Sequence, residues 1–194
     1  GTGLLWFGWF GFNSGSALGA NVDAVIAFAN TNLASAASMI TWIFLDRMQN
    51  RKMSSLGACI GAIVGLVAIT PAAGFVTIGQ SIFIGFVASI ISNIAIRLNE
   101  RTEIDDTLDV FPSHGVGGMV GMILTGVFAK DVGLIYGETQ TFLYHIVALL
   151  LVAVVTFFGS LLLYKITDLL LHMRVREDQE FRGLDASQHG EHLL

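Results

Sequence analysis

Apolar residues along this chain come in long blocks separated by short polar stretches. Blocks long enough to cross a bilayer, which takes about twenty residues each, run at about 3–19, 22–45, 55–73, 77–98, 111–129 and 141–171. The pattern predicts an all-α fold, a polytopic transmembrane helical bundle with six spans, the first of them short. The connections carry an orientation. If the spans alternate, Arg47, Arg51, Lys52, Arg97, Arg101, Lys165, Arg174, Arg176 and Arg182 fall on one side and Lys130 alone on the other. The positive-inside rule makes the 46–54 and 99–110 loops and the carboxyl-terminal tail cytoplasmic. Residues 1–172 then form a transmembrane domain and 173–194 a cytoplasmic tail.

Within the blocks, small residues recur where helices have to meet. Gly57, Gly61 and Gly65 repeat every four positions, as do Gly117 and Gly121, and both patterns suit close helix packing in lipid. The 22–45 block is unusually polar, with Asn30, Thr31, Asn32, Ser35, Ser38 and Thr41, and with Asp23 and Asp46 bracketing it in the interfaces. Hydroxyls and amides at such places act as interhelical hydrogen-bonding glue more often than as a binding site.

Composition supports the membrane assignment. Hydrophobic residues make up 54% and charged residues 13% of the chain, at a mean hydropathy of +0.70, far from soluble globular composition. The net charge of −5 gathers in two short stretches and argues against a nucleic-acid partner. Cys59 is the single cysteine, so no disulfide framework exists within the chain. Gly1 opens inside an apolar run with no start Met, basic region or small-residue cleavage site. A piece of something longer is expected there, not a signal peptide.

Candidate chemistry centres on Asp109-Val110-Phe111-Pro112-Ser113-His114-Gly115-Val116-Gly117-Gly118-Met119-Val120-Gly121. Pro112 suits a first helical turn, where its missing N–H removes no hydrogen bond, so the helix is expected to begin near Phe111. His114 stands just inside an apolar span, with no carboxylate in the fifteen residues after it. An ionisable group there is a functional candidate, the alternative being a buried histidine tied to a neighbouring carbonyl. In the first span Trp9, Phe12 and Ser16 follow at helical spacing and line up an indole, a phenyl ring and a hydroxyl on one stripe. Such a stripe holds a small cation by hydrogen bonding and cation–π attraction, or is ordinary aromatic-belt chemistry. The sequence carries no clustered metal-ligand set in one leaflet, no phosphate loop and no nucleophile paired with a base, so no cofactor is expected and enzyme activity is disfavoured.

Four separated blocks also resemble a known family. Trp9-Phe10-Gly11-Phe12-Asn13-Ser14-Gly15-Ser16, Gly57-Ala58-Cys59 with Ile69-Thr70-Pro71-Ala72, Asp109-Val110-Phe111 with His114-Gly115-Val116-Gly117-Gly118, and Gly183-Leu184-Asp185 with His189-Gly190-Glu191 are similar to the Amt/Mep ammonium transporters. The surroundings of His114 resemble the Amt branch, not the Rhesus branch. The match is to the second half of such a protein, which implies the second five-helix inverted repeat plus a long final helix, in a homotrimer with a pore in each subunit. By the same resemblance His114 matches one of two paired pore histidines, Phe12 one ring of a phenylalanine gate, Trp9 a pore-lining aromatic and Ser16 the hydroxyl of an outer ammonium recruitment site. The partner histidine, the other gate ring and the remaining recruitment residues belong to the first half. His145, His172, His189 and His192 do not replace them.

The resemblance implies a mechanism as well. Ammonium and potassium share charge and approximate size, so a narrow apolar pore selects by making the permeant shed its proton, which potassium cannot do. Burial is expected to keep His114 neutral, one ring nitrogen donating and the other accepting, so that it relays the proton. Asp109 in the acidic 100–109 loop and Gly183, Leu184 and Asp185 in the tail are expected to be regulatory, the tail packing under a neighbouring subunit. PII-type signalling proteins are an expected partner on the cytoplasmic face of a cell membrane. After Glu191 the chain reads His192-Leu193-Leu194 where the family usually continues Ala-Tyr. Either the tail diverges or a further domain follows, such as the histidine kinase of an ammonium sensor.

Overall fold

The structure, a computed structural model, describes residues 1–191, all-helical wherever it is regular. His192, Leu193 and Leu194, on which the departure from the family's usual tail rests, lie outside the described residues. Six main helices stand where six spans are expected. They are α1 (Thr2–Gly15), α2 (Val22–Met48), α3 (Ser55–Ile69), α4 (Ile78–Asn99), α5 (Phe111–Phe128) and α6 (Gln140–Leu170). Four of these, α2, α4, α5 and α6, are long and apolar enough to cross a membrane, while α3 is a shorter apolar helix and α1 has 14 residues.

Side-chain caps set the helix starts. Asn21 accepts from Ala24 N–H at 3.0 Å, Ser54 from Gly57 N–H at 3.0 Å, and Thr77 and Gln80 form a reciprocal capping box. α3 ends at Ile69, with Thr70, still in the helical region, as its C-cap, and Pro71 after it has no N–H with which to continue the ladder. The turn that follows is held from α2, where the Asn30 amide donates to Ala73 O and Val76 O, both at 2.8 Å. At α5 the first turn, Phe111–Val116, is π-wound before regular α-helix begins at Gly117.

Two compact units are present, Gly1–Leu149 and Leu150–Leu194. In the first, α2 is the central helix, packed against α1, α3 and α4, and α5 closes the group against α3 and α4. Polar residues of α2 act as the predicted glue. Ser35 Oγ donates to Ala62 O at 2.9 Å, Ser38 Oγ to Gly61 O at 2.6 Å, and Ser89 Oγ returns to Ser38 O at 3.0 Å. At the crossing centred on α2, Ala34 lies between Gly65 of α3 and Gly85 of α4, and a Cβ on either glycine would fall within 2.5 Å or 2.2 Å of Ala34 O. Close approach is thus what the repeating small residues provide. In the second unit the rest of α6 leads to α7 (Glu177–Arg182), with Arg174 clasping the Glu180 carboxylate at 2.9 and 3.1 Å, and then to a π-wound turn at Asp185–His189.

Candidate functional site

Helix α3 braces both halves of the predicted site. On one side it meets α1, where Trp9 Nε1–H donates to Thr70 Oγ1 at 2.8 Å, so the indole is turned inward and held by the helix behind it. Phe12 stands edge-on to Trp9, with ring centroids 6.0 Å apart and planes at 73°, and is 63% exposed. The single stripe expected for Trp9, Phe12 and Ser16 is therefore divided. Trp9 anchors, Phe12 projects, and Ser16 lies past the last turn of α1 as its C-terminal cap. The Ser16 hydroxyl donates to Phe12 O at 2.9 Å, which leaves its lone pairs free for a cation. The helix carbonyl end adds partial negative charge of the right sign.

On its other side α3 supports the turn that carries His114. Pro112 and Ser113 are buried, and this turn packs on α3 and α4. Farther along α5, Gly121 is pressed so close to α3 that a Cβ would come within 2.1 Å of Ala68 O. The burial expected of the imidazole depends on a first half that would cover this face, and within this chain by itself the ring is uncovered. His114 is exposed and makes no hydrogen bond among the described residues, because Pro112, Ser113 and Gly117 take the inward face and His114 is left on the outward one. It is presented, not enclosed.

The stem of this turn is built by the acidic loop, and sequence reading missed how. Within that acidic 100–109 loop, the two carboxylate oxygens of Asp106 accept from Val110 N–H and Phe111 N–H, both at 2.8 Å, capping the helix four and five residues on. Asp109 adopts the left-handed conformation, φ +51°, and its carbonyl accepts from Ser113 N–H at 3.0 Å and from the Ser113 hydroxyl. An aspartate at that distance before Pro112 was the available signal for a cap. Asn13 was also missed. Buried in α1, it donates to Thr31 Oγ1 at 2.9 Å and pins the helix that carries Trp9 and Phe12. Nothing in the sequence distinguishes it from the neighbouring Ser14.

Burial first, then the carboxylates of Asp106 and Glu100, push Asp109 above the usual carboxylate range. An upward shift means the fold prefers the protonated group, so this stabilisation is complete in acid and lost as pH rises through the raised value. Arg51, Lys52 and Asp46 share the same surroundings. Asp109→Asn keeps a side chain tolerant of positive φ and is expected to flatten the stability profile between the ordinary carboxylate range and the raised value. At neutral pH it is expected to be neutral or slightly stabilising. Asp109→Val is expected to cost about 1–3 kcal/mol through backbone strain. Thermal unfolding of the full-length protein across pH checks both, and an unaltered profile in Asp109→Asn contradicts the first.

A family model described as the Ammonium Transporter Family matches residues 1–193. The chain belongs to the ammonium transporter family. It is 44% identical over 200 residues to a putative ammonium transporter of Methanothermobacter thermautotrophicus, covering 98% of this chain and 49% of that protein. Among solved structures, Candida albicans Mep2 superposes with a TM-score of 0.86 at 38% identity, covering 92% of this chain and 42% of that one. A structure of a Sensor Amt Protein gives 0.85 at 30% identity, covering 96% and 47%. The chain thus spans about half the length of the curated relatives it matches. The family match and four helices long and apolar enough to cross a membrane support a multi-pass membrane protein, and the curated relatives are named as transporters.

Two of the other histidines have local neighbours. His145 Nδ1 is 2.8 Å from Thr141 O, and His172 is 3.9 Å from Asp168. In the second unit Gly183 ends α7 at φ +87°, and Leu184 and Asp185 lead into a turn fastened by Ser187 Oγ, which donates to Gly183 O at 2.8 Å. Among the described residues no cluster of His, Cys, Asp or Glu has the makings of a metal site.

Proposed function

We propose that the full-length protein carries ammonium across a cell membrane by stripping its proton at a dry constriction, passing ammonia between aromatic rings and the proton separately by way of His114. One observation carries the reading: α3 holds both the Trp9–Phe12 pair and the His114 turn, each offering its reactive side chain on an uncovered face. An exposed imidazole beside apolar surface costs nothing in this chain alone. When the first half of the transporter covers that face, the ring and the partner histidine from that half become the proton-accepting groups of an apolar passage. Ser16 recruits the cation, Phe12 excludes water, and Trp9 fixes Phe12.

The assembly is proposed to be a homotrimer, with residues 1–172 in the membrane and 173–194 in the cytoplasm. Gly183, Leu184, Asp185 and Asp109 belong to the regulatory contact of the tail, and a PII-type protein binds that face. Proteoliposomes of the full-length protein are expected to give transient currents on ammonium pulses and none on equal potassium pulses. Equal currents for both ions reject the mechanism. The similarity to a Sensor Amt Protein favours a second reading, an ammonium receptor joined to a signalling module. Ammonium-dependent kinase output without current is its expected signature.

A further inference from the structure

Asp46 is placed by sequence in an interface, but the structure buries it to 6% exposure, and its carboxylate makes no hydrogen bond or ion pair among the described residues. Its oxygens are not sealed in protein but open onto a cavity beside it, where water or an ion can meet them. Its surroundings make room for it. Gly57 of α3 lacks the Cβ that would lie 2.6 Å from Asp46 Oδ2, so this first glycine of the repeat admits a charged group as well as a helix. The carboxylate lines a polar cavity of about 180 Å3 bounded by Trp42, Ser54, Asn93, Glu100, Asp109, Arg51 and Lys52.

Among the residues that line the cavity three are acidic and two basic. Arg51 pairs with Glu100 at 3.1 Å, which leaves Lys52 with Asp46 and Asp109, and the nearby Arg97 guanidinium is held by Asn93, not by Asp46. Acceptors also outnumber donors. Asn93 Oδ1 already takes Arg97 at 2.8 Å and Gln49 at 3.2 Å, while Gln49 Oε1 beside it is buried with no donor.

We propose that this chamber is a binding site for one small monovalent cation, held by the Asp46 carboxylate against the Trp42 ring. The volume takes a cation with a few waters, at roughly 30 Å3 per water. Carboxylate and amide oxygens suit a hard cation, and the indole face adds cation–π attraction. A divalent metal is not the fitting occupant, since no three ligating side chains converge among the described residues. Occupancy ties α2, α3 and the 100–109 loop together, and that loop carries the Asp106 cap of the His114 turn.

The test is thermal unfolding of the purified full-length protein in rising potassium or ammonium chloride, against choline chloride at equal ionic strength. The proposal expects saturable stabilisation by the small cations, absent in Asp46→Asn. It expects the midpoint concentration to fall by roughly fivefold in Lys52→Gln, where an opposing charge is removed. A response to potassium and ammonium alike marks a general monovalent site, and a response to ammonium alone marks a substrate site. Stabilisation that persists in Asp46→Asn, a response to divalent ions only, or no response in the wild type overturns the proposal. If Asp46→Asn does not fold, the midpoint in Lys52→Gln decides, and an unchanged midpoint overturns it. The site does not depend on the transport reading. A His114→Ala protein without current keeps its cation response, so the two fail separately.

Discussion

Replacing His114 with alanine in the full-length protein is expected to lower the ammonium-evoked current on the order of a hundredfold, the scale of a lost acid–base group, with little effect on folding. The ring is exposed and unbonded among the described residues, whereas Pro112, Ser113, Gly117 and Gly121 do the packing. Removing a side chain that carries no packing changes stability by about 0.5 kcal/mol or less. Current and flux must be measured together, because the mechanism separates them. Current reports the proton, and uptake of isotope-labelled ammonium in vesicles reports the nitrogen. If His114 relays the proton, His114→Ala loses current by a larger factor than uptake, since an apolar alanine still lets neutral ammonia by. Unchanged current with unchanged selectivity removes His114 from the mechanism. A protein that loses both along with its unfolding temperature points instead to damage of the 111–116 turn. Asp106→Asn is a control for that outcome, as it weakens the cap of the turn while leaving the imidazole in place.

What sequence made visible was whatever depends on runs and repeats. The six helical blocks stand within a few residues of their expected bounds, and the start at Phe111 follows from Pro112 alone. The glycine repeats announced close crossings, because only missing side chains allow backbones to touch. Orientation within the site was another matter. Residue types placed Trp9, Phe12 and Ser16 on one stripe, yet the direction of each ring is fixed by partners far along the chain, Thr70 for Trp9 across 61 residues and Thr31 for Asn13 across 18. His114 reads as buried because its neighbours in sequence are apolar. Its exposure is decided by which face of the turn α3 and α4 occupy, a tertiary fact. The carboxylates misled for a similar reason: in a charge run, Asp106 capping backbone N–H groups and Asp109 adopting positive φ look the same as solvated neighbours.

Gly121→Ala and Gly85→Ala are expected to destabilise the protein by about 2–4 kcal/mol each, at or above the usual cost of overpacking, but to differ in what they do to transport. At both positions the obstacle is backbone, since the added Cβ would sit 2.1 Å from Ala68 O at Gly121 and 2.2 Å from Ala34 O at Gly85. Carbonyls within helices cannot rotate aside as a flexible side chain can, so whole helices must part. Gly79→Ala supplies the baseline, with nothing within 4 Å of its Cβ and an expected gain of up to about 1 kcal/mol from helix propensity. The crossing at Gly85 joins α4 to α2, neither of which carries Trp9, Phe12 or His114. Because α4 also backs the His114 turn and α2 holds α1 through Thr31, Gly85→Ala is expected to lower the unfolding temperature and the yield, and to lower current per folded protein by less than Gly121→Ala does. The crossing at Gly121 joins α5 to α3, two turns beyond His114 on the helix that bears it, and α3 is the helix to which Trp9 is tied. Forcing these helices apart displaces His114 relative to the aromatic pair, so Gly121→Ala is expected to lose current per folded protein as well. Current normalised to folded protein, from size-exclusion and thermal unfolding of the same preparation, makes the comparison. Equal residual currents in the two variants contradict the role given to α3 as the common support of gate and relay.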